Sequence, residues 1–376
     1  MTDREQSRLP HRITHSSSKD FRMRTGNFAV SVFIFFAPTP HRPVDQMDFQ
    51  KYLDALHREI KPALWCTEPI AAALAVAKAR EMLGCVPEKI DLWVSTNVLK
   101  NAMGVGIPGT GMIGLEIACA LGCVAGHSER GLEVLSNATQ HDYELAREYA
   151  ADDHINVYTE DTDKKLYIEA YARAQGHTAV CIIEDAHTHI SHVQLDDQVL
   201  IHHDAKAAQT TEAAYHRLDI MGIYEFAVTV DIERIRFLNE AISMNDAVAR
   251  EGLSRHYGMC VGRVLKNDRS MEEMLLSDYT CSHTSAAADT RMAGSILPVM
   301  STSGSGNQGI CASLPVAAAS RKLGIDEDLM LRTEALSQLI TIHIKSHIGK
   351  LSPLCGCAIA ASIGSSAGIV FLLGAT

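Results

Sequence analysis

Apolar positions recur with helical spacing from Met47 onward. The first set is Phe49, Tyr52, Leu53, Leu56 and Ile60. This spacing predicts an amphipathic helix that starts after an N-cap at Asp48 and ends at Pro62. A second helix is predicted over residues 70–83, with Gly84 as its stop and Pro69 suited to its first turn.

Later segments change their period. Residues 90–95 indicate a strand, and apolar positions within 154–204 alternate over short stretches bounded by turn residues, which predicts a small antiparallel sheet. Residues 141–151 and 233–251 return to helical spacing. Much of 286–376 is small and apolar, which favours buried helices.

Two apolar stretches are similar in composition to membrane-directed segments. Residues 29–37 follow several arginines, as in a signal peptide, but they are too few to span a bilayer. We interpret residues 1–46 as a disordered or non-native extension, with the natural start at Met47. Residues 358–375 are long enough for a membrane helix, yet no charged flank marks a boundary. We interpret them as a buried helix, and we expect no membrane association.

Composition narrows the class of protein. The chain has 376 residues, 47% of them hydrophobic and only 6% aromatic, with a net charge of −11. The acidic balance argues against a nucleic-acid partner, which would need clustered Lys and Arg. Ten irregularly spaced cysteines in a chain of this length do not form a disulfide framework. They predict a reducing, cytoplasmic location.

Two segments match the pattern G-x-G-x-x-G. They are residues 109–114 and 304–309. A dinucleotide site needs this pattern between a strand and a helix of a βαβ unit, and no such unit is evident around either match. The second match is flanked by Ser305, Asn307 and Gln308, whose amides could clamp a carboxylate. A tight turn between packed helices is the alternative.

Some cysteines and histidines stand in settings that suit chemistry. Cys66 precedes a predicted helix, and Cys355 and Cys357 precede another. A helix N-terminus stabilises a thiolate, which is the form that binds iron–sulfur clusters. His187 and His189 would lie on one face of a strand and could bind metal or form an acid–base pair. Taken alone, each of these cysteines is better explained by packing, and the histidine pair by solvated or hydrogen-bonded strand residues.

Seven segments together resemble the L-cysteine desulfidase family of the serine dehydratase alpha-subunit superfamily. They are residues 66–69, 95–101, 108–112, 187–190, 285–292, 301–310 and 351–355. They occur in the family's order from about Met47 to the end of the chain. His187-Thr188-His189-Ile190 stands where the family has His-Thr-Asn-Ile.

The resemblance implies a [4Fe–4S] cluster held by three cysteines, with one iron open to substrate. Two of these cysteines correspond to Cys66 and Cys355. The third belongs to an Ile-Cys-Asp-Gly-Ala motif that this chain does not reach before Thr376. Cys311 and Cys357 are near in sequence but do not occupy the family position. We therefore expect a C-terminally truncated member.

The implied reaction is a pyridoxal-phosphate-independent β-elimination on a small amino acid, with the iron as Lewis acid and a side chain as base. The candidate bases are His187, His189 and Lys100. The candidate substrate contacts are Asn97, Asn101, Asp289, Arg291, Asn307 and Gln308. Arg291 suits a carboxylate, but it could equally form a structural pair with Asp289.

We expect an α+β fold, with an α-rich catalytic region over residues 47–376 and a smaller α/β layer, built on an antiparallel sheet, inserted at about 86–205. The predicted substrate is L-cysteine. The alternatives are an L-serine dehydratase, a non-catalytic truncated relative without a cluster, and last a nicotinamide enzyme. The sequence is compatible with a homo-oligomer.

Overall fold

The computed structural model describes residues 49–64, 66–203, 218–349 and 351–374. The helices are α1 (Gln50–Glu59), α2 (Thr67–Leu83), α3 (Thr96–Ala102), α4 (Leu115–Ala125), α5 (Gln140–Ala151), α6 (Ile220–Thr229), α7 (Leu238–Ser254), α8 (Val261–Lys266), α9 (Leu276–Met292), α10 (Gly306–Leu323), α11 (Glu327–Ile348) and α12 (Ser362–Leu372). The strands are β1 (Ile60–Ala63), β2 (Lys89–Ser95), β3 (Gly106–Ile107), β4 (Met112–Ile113), β5 (Ile155–Glu160), β6 (Tyr167–Ala174), β7 (His177–Glu184), β8 (Ile190–Leu195), β9 (Gln198–His202) and β10 (Val299–Thr302). The mixture confirms the α+β class.

A six-stranded sheet forms one layer, in the order β5-β2-β6-β7-β8-β9. Neighbours are antiparallel except for the parallel pair β2–β5. The burial of β6 alternates strictly, so one face meets the core and the other is partly open to solvent. This confirms the sheet that the alternating pattern predicts. The division of the chain into a catalytic region and an inserted layer stays a prediction.

Helices α2 and α4 cover the buried face of this sheet. Alanine fills the middle of α2, where the run from Ala71 to Ala77 is inaccessible to solvent apart from Leu74 at 1%. Small side chains allow α2 and α4 to approach each other closely, and Gly122 of α4 marks one such contact. A Cβ at this glycine would lie 2.4 Å from the carbonyl oxygen of Ala73. The alanine-rich composition is therefore a packing requirement of this layer.

A second core gathers α1, α6, α7 and α11. Its largest buried side chains include Tyr52, Leu56 and Phe226. The two-stranded ladder β1–β10 runs beside it, with Ala63 opposite Val299 and antiparallel direction. The segment that follows β1 carries Cys66, and the segment that precedes β10 follows α9. The ladder therefore brings Cys66 towards the end of α9.

Most predicted elements are confirmed, with boundary corrections. Helix α1 ends at Glu59, and Ile60 opens β1 instead of continuing the helix. Helix α2 begins at Thr67, three residues before the predicted start, and ends at Gly84 in the left-handed conformation. The prediction of one helix over 233–251 was wrong at its start, because a 3₁₀ turn at Ile232–Arg234 precedes α7. The predictions for Asp48 and residues 1–46 lie outside the described residues.

The two glycine motifs occupy different settings. Residues 109–114 lie in and just after the turn between β3 and β4. Residues 304–309 form the turn from β10 into α10. Strand β10 pairs only with β1, and antiparallel, within the part of the chain that the structure describes. This arrangement differs from the parallel βαβ unit of a dinucleotide fold.

The apolar end of the chain is helical. A π-helical turn, Cys357–Ala361, leads directly into α12. Its small residues pack closely on α11, where a Cβ at Gly364 would lie 2.4 Å from the carbonyl oxygen of Ser337. Across the described ranges, none of the helices is long and apolar enough to cross a membrane.

Candidate active site

Six separate parts of the chain meet near the start of α2. They are the residues around Cys66, the helix α3, the turn between β7 and β8, the end of α9, the start of α10, and the segment 351–357 beside the last turns of α11. Most of the seven segments that carry the family resemblance contribute to this meeting point. The β1–β10 ladder and the start of α2 lie at the centre of this meeting point and bring the segments together.

Glu68 in the first turn of α2 organises one side of the site. Its Oε1 accepts a hydrogen bond of 3.0 Å from Asn101 Nδ2, and His187 Nε2 lies 3.8 Å from the same oxygen. Burial alone would raise the pKa of Glu68, but the contact with His187 and the Asn101 hydrogen bond outweigh it and lower the pKa to about 2. The carboxylate is therefore ionised and orients the imidazole.

Arg291 at the end of α9 links Cys66 to α10. Its side chain is 8% exposed, its Nη1 donates to Asn307 Oδ1 at 3.1 Å, and it also hydrogen-bonds Cys66. Gly306 makes this possible, because a Cβ there would lie 2.4 Å from Arg291 Nε. Burial raises the pKa of the Cys66 thiol, and the guanidinium charge opposes that rise.

Three more cysteines extend the site from Cys66. Cys357 donates its S–H to Cys311, which lowers the pKa of Cys311 and raises the pKa of Cys357, and Cys357 also contacts Cys355. Cys355 is exposed, whereas Cys311 and Cys357 are half-buried. The π-helical turn begins at Cys357. Such turns interrupt regular helices mainly at functional sites.

Lys100 fixes the loop that carries Cys355. Its ammonium donates to the carbonyl oxygens of Ser352 and Pro353, each at 3.1 Å. A lysine committed to two carbonyls is a poor base, because deprotonation would remove donors that the loop uses. The geometry favours an anchoring role for Lys100 over the predicted catalytic one.

Lys345 in α11 and Gln308 in α10 both approach Gly356. Both side chains are buried, with exposures of 6% and 1%. Burial lowers the pKa of Lys345, while the nearby Cys357 and Glu68 oppose that change. Gln308 Nε2 donates to the Thr302 carbonyl at 3.1 Å, and Gln308 Oε1 accepts no hydrogen bond from the described residues.

Three of the predicted residues lie apart from these contacts. His189 Nδ1 is bound to the Glu184 carbonyl oxygen at 3.0 Å, and the Asp289 carboxylate accepts from the backbone N–H of Gly262 at 3.3 Å. Asn97, on the same helix as Asn101, makes no side-chain hydrogen bond among the described residues. His187 and His189 occupy a turn, not a strand, and of the two only His187 approaches Glu68.

Sequence reasoning missed Glu68 and Lys345 as site residues. Glu68 lies in the segment 66–69, which is part of the family resemblance, and its place in the first helical turn after Cys66 could have indicated a site residue. Lys345 follows Ile342 and Ile344 in α11, a helix that also carries Arg332, and its side chain is 6% exposed. Lysine is rarely buried, so the low exposure of Lys345 identifies it where the sequence does not.

The donor chemistry of the site suits an iron–sulfur cluster. Four thiols lie along connected contacts, and Arg291 and Lys345 supply positive charge beside them. Thiolates are the usual cluster ligands, and nearby cations stabilise them. Within the described ranges, no three His, Cys, Asp or Glu side chains are already arranged around one metal position. The thiols would have to rearrange on binding.

Comparison with known proteins gives a consistent result. Residues 129–376 match the family described as serine dehydratase alpha chain. A UPF0597 protein of Phocaeicola vulgatus is 44% identical over 331 residues, covering 87% of this chain and 77% of the relative. UPF0597 proteins of Bacteroides thetaiotaomicron and Clostridium perfringens are 43% and 41% identical, each covering 86% of this chain and 76% of the relative.

No solved structure matches the chain significantly. The family match covers most of the chain, and its residues include α9, α10, α11 and the segment with Cys355. The relatives also cover the Cys66 region, because each alignment spans more than four-fifths of the chain. The protein belongs to the serine dehydratase alpha-chain family.

Proposed function

We propose that the protein is a cytoplasmic, iron–sulfur-dependent lyase that converts L-cysteine and water to pyruvate, ammonia and hydrogen sulfide. The observation that carries this proposal is the convergence of Cys66 and Cys355 with buried cations and with the Glu68–His187 pair in one site. Family membership supports a lyase of amino-acid catabolism in general.

Cys66 and Cys355 would supply two of the thiolate ligands of a [4Fe–4S] cluster, which would provide a Lewis acid for departure of the β-substituent. Arg291 stabilises the Cys66 thiolate through its hydrogen bond and charge. Lys100 keeps the loop before Cys355 in place through the carbonyls of Ser352 and Pro353. These residues therefore form the part of the site that holds the cofactor.

His187 is our candidate for the base that takes the α-proton. The ionised Glu68 lies 3.8 Å from its Nε2 and stabilises the imidazolium that proton transfer produces. Asn101 holds the Glu68 carboxylate, so that its position does not depend on the protonation of His187. Loss of the α-proton and of the β-sulfur gives an enamine, which water hydrolyses to pyruvate and ammonia.

L-Serine dehydration is the second candidate, favoured by the description of the matching family. It needs the same proton removal, with water leaving in place of sulfide. The experiment is to supply L-cysteine and L-serine separately to the anaerobically reconstituted protein and to measure pyruvate and sulfide. Pyruvate from L-cysteine with equal sulfide is expected. Pyruvate from L-serine alone would favour the second candidate, and no product from either would contradict both.

A further inference from the structure

Lys345 carries a positive charge on a largely buried side chain. Its side chain is 6% exposed, and its ammonium makes no hydrogen bond or salt bridge with any residue of the described ranges. The charged groups nearest to it are Glu68, Lys100, Cys355 and Cys357, from α2, α3 and the segment before α12. An ammonium on a largely buried side chain that has no hydrogen-bond acceptor within the described ranges can donate to an anionic ligand.

Gln308 has a buried acceptor that lacks a hydrogen-bond donor among the described residues. Its Oε1 is buried and accepts no hydrogen bond in the described part of the molecule. The amide cannot turn round without loss, because the Thr302 carbonyl can only accept and therefore requires Nε2 on its side. Gln308 thus directs a fixed acceptor into the site.

A chain of buried side chains that begins at Thr302 supports the fixed orientation of Gln308. Thr302 Oγ1 donates to Gln338 Oε1 at 2.6 Å, and Gln338 Nε2 donates to Glu334 Oε1 at 2.8 Å. All of these side chains are at most 1% exposed. A buried and connected network of this kind holds its members in one arrangement.

The two groups face the same point. A Cβ built on Gly356 would lie 2.3 Å from Gln308 Oε1 and 3.5 Å from Lys345 Nζ. A side chain at residue 356 would clash with Gln308, so glycine is required for this close approach, and the cysteines on either side of Gly356 belong to the site. One cationic donor and one neutral acceptor therefore lie close to the Gly356 backbone, beside Cys355 and Cys357.

We propose that Lys345 and Gln308 form the subsite that binds the α-carbon substituents of an amino-acid substrate, with Lys345 on the α-carboxylate and Gln308 Oε1 on the α-ammonium. This assignment rests on the proposed function, because it places the substrate beside the cluster-binding cysteines. Arg291 is engaged with Cys66 and Asn307, which leaves the carboxylate to Lys345. Zwitterionic α-amino acids are then the class of ligand that satisfies both groups.

The test uses the reconstituted full chain and calorimetric titration with three unreactive ligands. L-Alanine has both substituents, ethylamine lacks the carboxylate, and propionate lacks the ammonium. Lys345→Gln should weaken L-alanine and propionate about 10- to 100-fold, as for a lost charge-assisted hydrogen bond, and leave ethylamine unchanged. Gln308→Met should weaken L-alanine and ethylamine and spare propionate. Lys345→Arg should restore part of the L-alanine affinity.

Lys89→Gln, in the exposed end of β2, is the matched control and should bind all three ligands as the wild type does. Equal affinities of Lys345→Gln and wild type for L-alanine would overturn the subsite, and so would an equal loss for all three ligands. Should Lys345→Gln fail to fold, the Gln308→Met titrations decide by the same criteria. A wild type that forms no pyruvate contradicts the proposed function, whereas one that forms pyruvate with unaltered binding in both variants overturns the subsite alone.

Discussion

Two groups of cysteines in this molecule differ in their surroundings. Cys119, Cys123 and Cys181 lie in the core between the sheet and its covering helices. Burial raises the pKa of Cys123 to about 11 and the pKa of Cys181 to about 12, and it raises the pKa of Cys119 as well. These thiols are small apolar side chains in practice.

Cys66, Cys311 and Cys357 are partly buried too, but they lie beside cations or beside one another. Arg291 opposes the effect of burial on Cys66, and the Cys357 S–H lowers the pKa of Cys311. Burial alone therefore does not distinguish a structural cysteine from a ligand. The charged and hydrogen-bonding neighbours distinguish the two kinds, and these neighbours come from distant parts of the chain.

The largest expected effect separates the two regions directly. Cys66→Ala should reduce pyruvate formation to the level without enzyme, because a cluster thiolate is lost. Cys181→Ala, in the sheet core, should keep the specific activity of the folded protein. Pyruvate release from L-cysteine is the measurement. Comparable activity of the two variants would show that the distinction between the two sets is wrong.

The carboxylates of the two regions can be compared in the same way. Glu68→Gln should lower kcat about 100-fold, the range of acid–base contributions, while the iron content stays that of the wild type. Glu169 on β6 accepts hydrogen bonds from Tyr167 and Tyr171, and Glu169→Gln should leave kcat unchanged. Steady-state kinetics over pH decides, and an unaltered kcat in Glu68→Gln would remove Glu68 from the mechanism.

A change in the sheet layer should affect stability and not chemistry. Gly122→Ala would place a Cβ 2.4 Å from the carbonyl oxygen of Ala73. Overpacking of this kind lowers the free energy of unfolding by about 2 kcal/mol. Denaturant unfolding measures the loss, and Gly104→Ala, where a Cβ meets nothing within 4 Å, is the control. Equal stability of the two variants would contradict the close packing of α2 on α4.

The smallest effect concerns Glu334, behind the site. Burial raises its pKa to about 8, so the folded protein keeps a proton that the unfolded chain releases above pH about 4.5. Stability is therefore lost as pH rises towards 8, by about 1.4 kcal/mol per pH unit from this group. Glu334→Gln removes this dependence, so the variant should gain that amount relative to wild type between pH 6 and pH 7.

Asp91→Asn is the control for that experiment. Burial would raise the pKa of Asp91, but its contacts with Arg173 and Asn156 lower it overall, so it stays ionised in both states above pH about 4. Its effect on unfolding should be the same at pH 6 and pH 7. A constant difference between Glu334→Gln and wild type over this interval would show that Glu334 is ionised in the folded protein.

Local patterns predicted most of the fold because each depends on neighbouring residues. The period of α1, the stop at Gly84 and the alternation of β6 are all written in short segments. The start of α7 was missed because a 3₁₀ turn satisfies the same apolar spacing. Register and helix ends depend on tertiary contacts, which the pattern does not contain.

The site was predictable only in part. Cys66 could be found from the helix that follows it, and the resemblance supplied Cys355 and Asn101. The pairing of Glu68 with His187 joins α2 to a turn more than a hundred residues later. The approach of Lys345 and Gln308 to Gly356 likewise exists only in three dimensions. Lys100 was one of three candidate bases, because its two carbonyl partners cannot be found from the sequence.

The most direct test of the central claim is the iron and sulfide content of the protein, with its visible spectrum, after anaerobic reconstitution. We expect about four irons per chain, as a [4Fe–4S] cluster requires, with broad brown absorbance. The same content in Cys181→Ala and its loss in Cys66→Ala would assign the cluster to the cysteines near Arg291. A colourless, iron-free wild type would contradict the account.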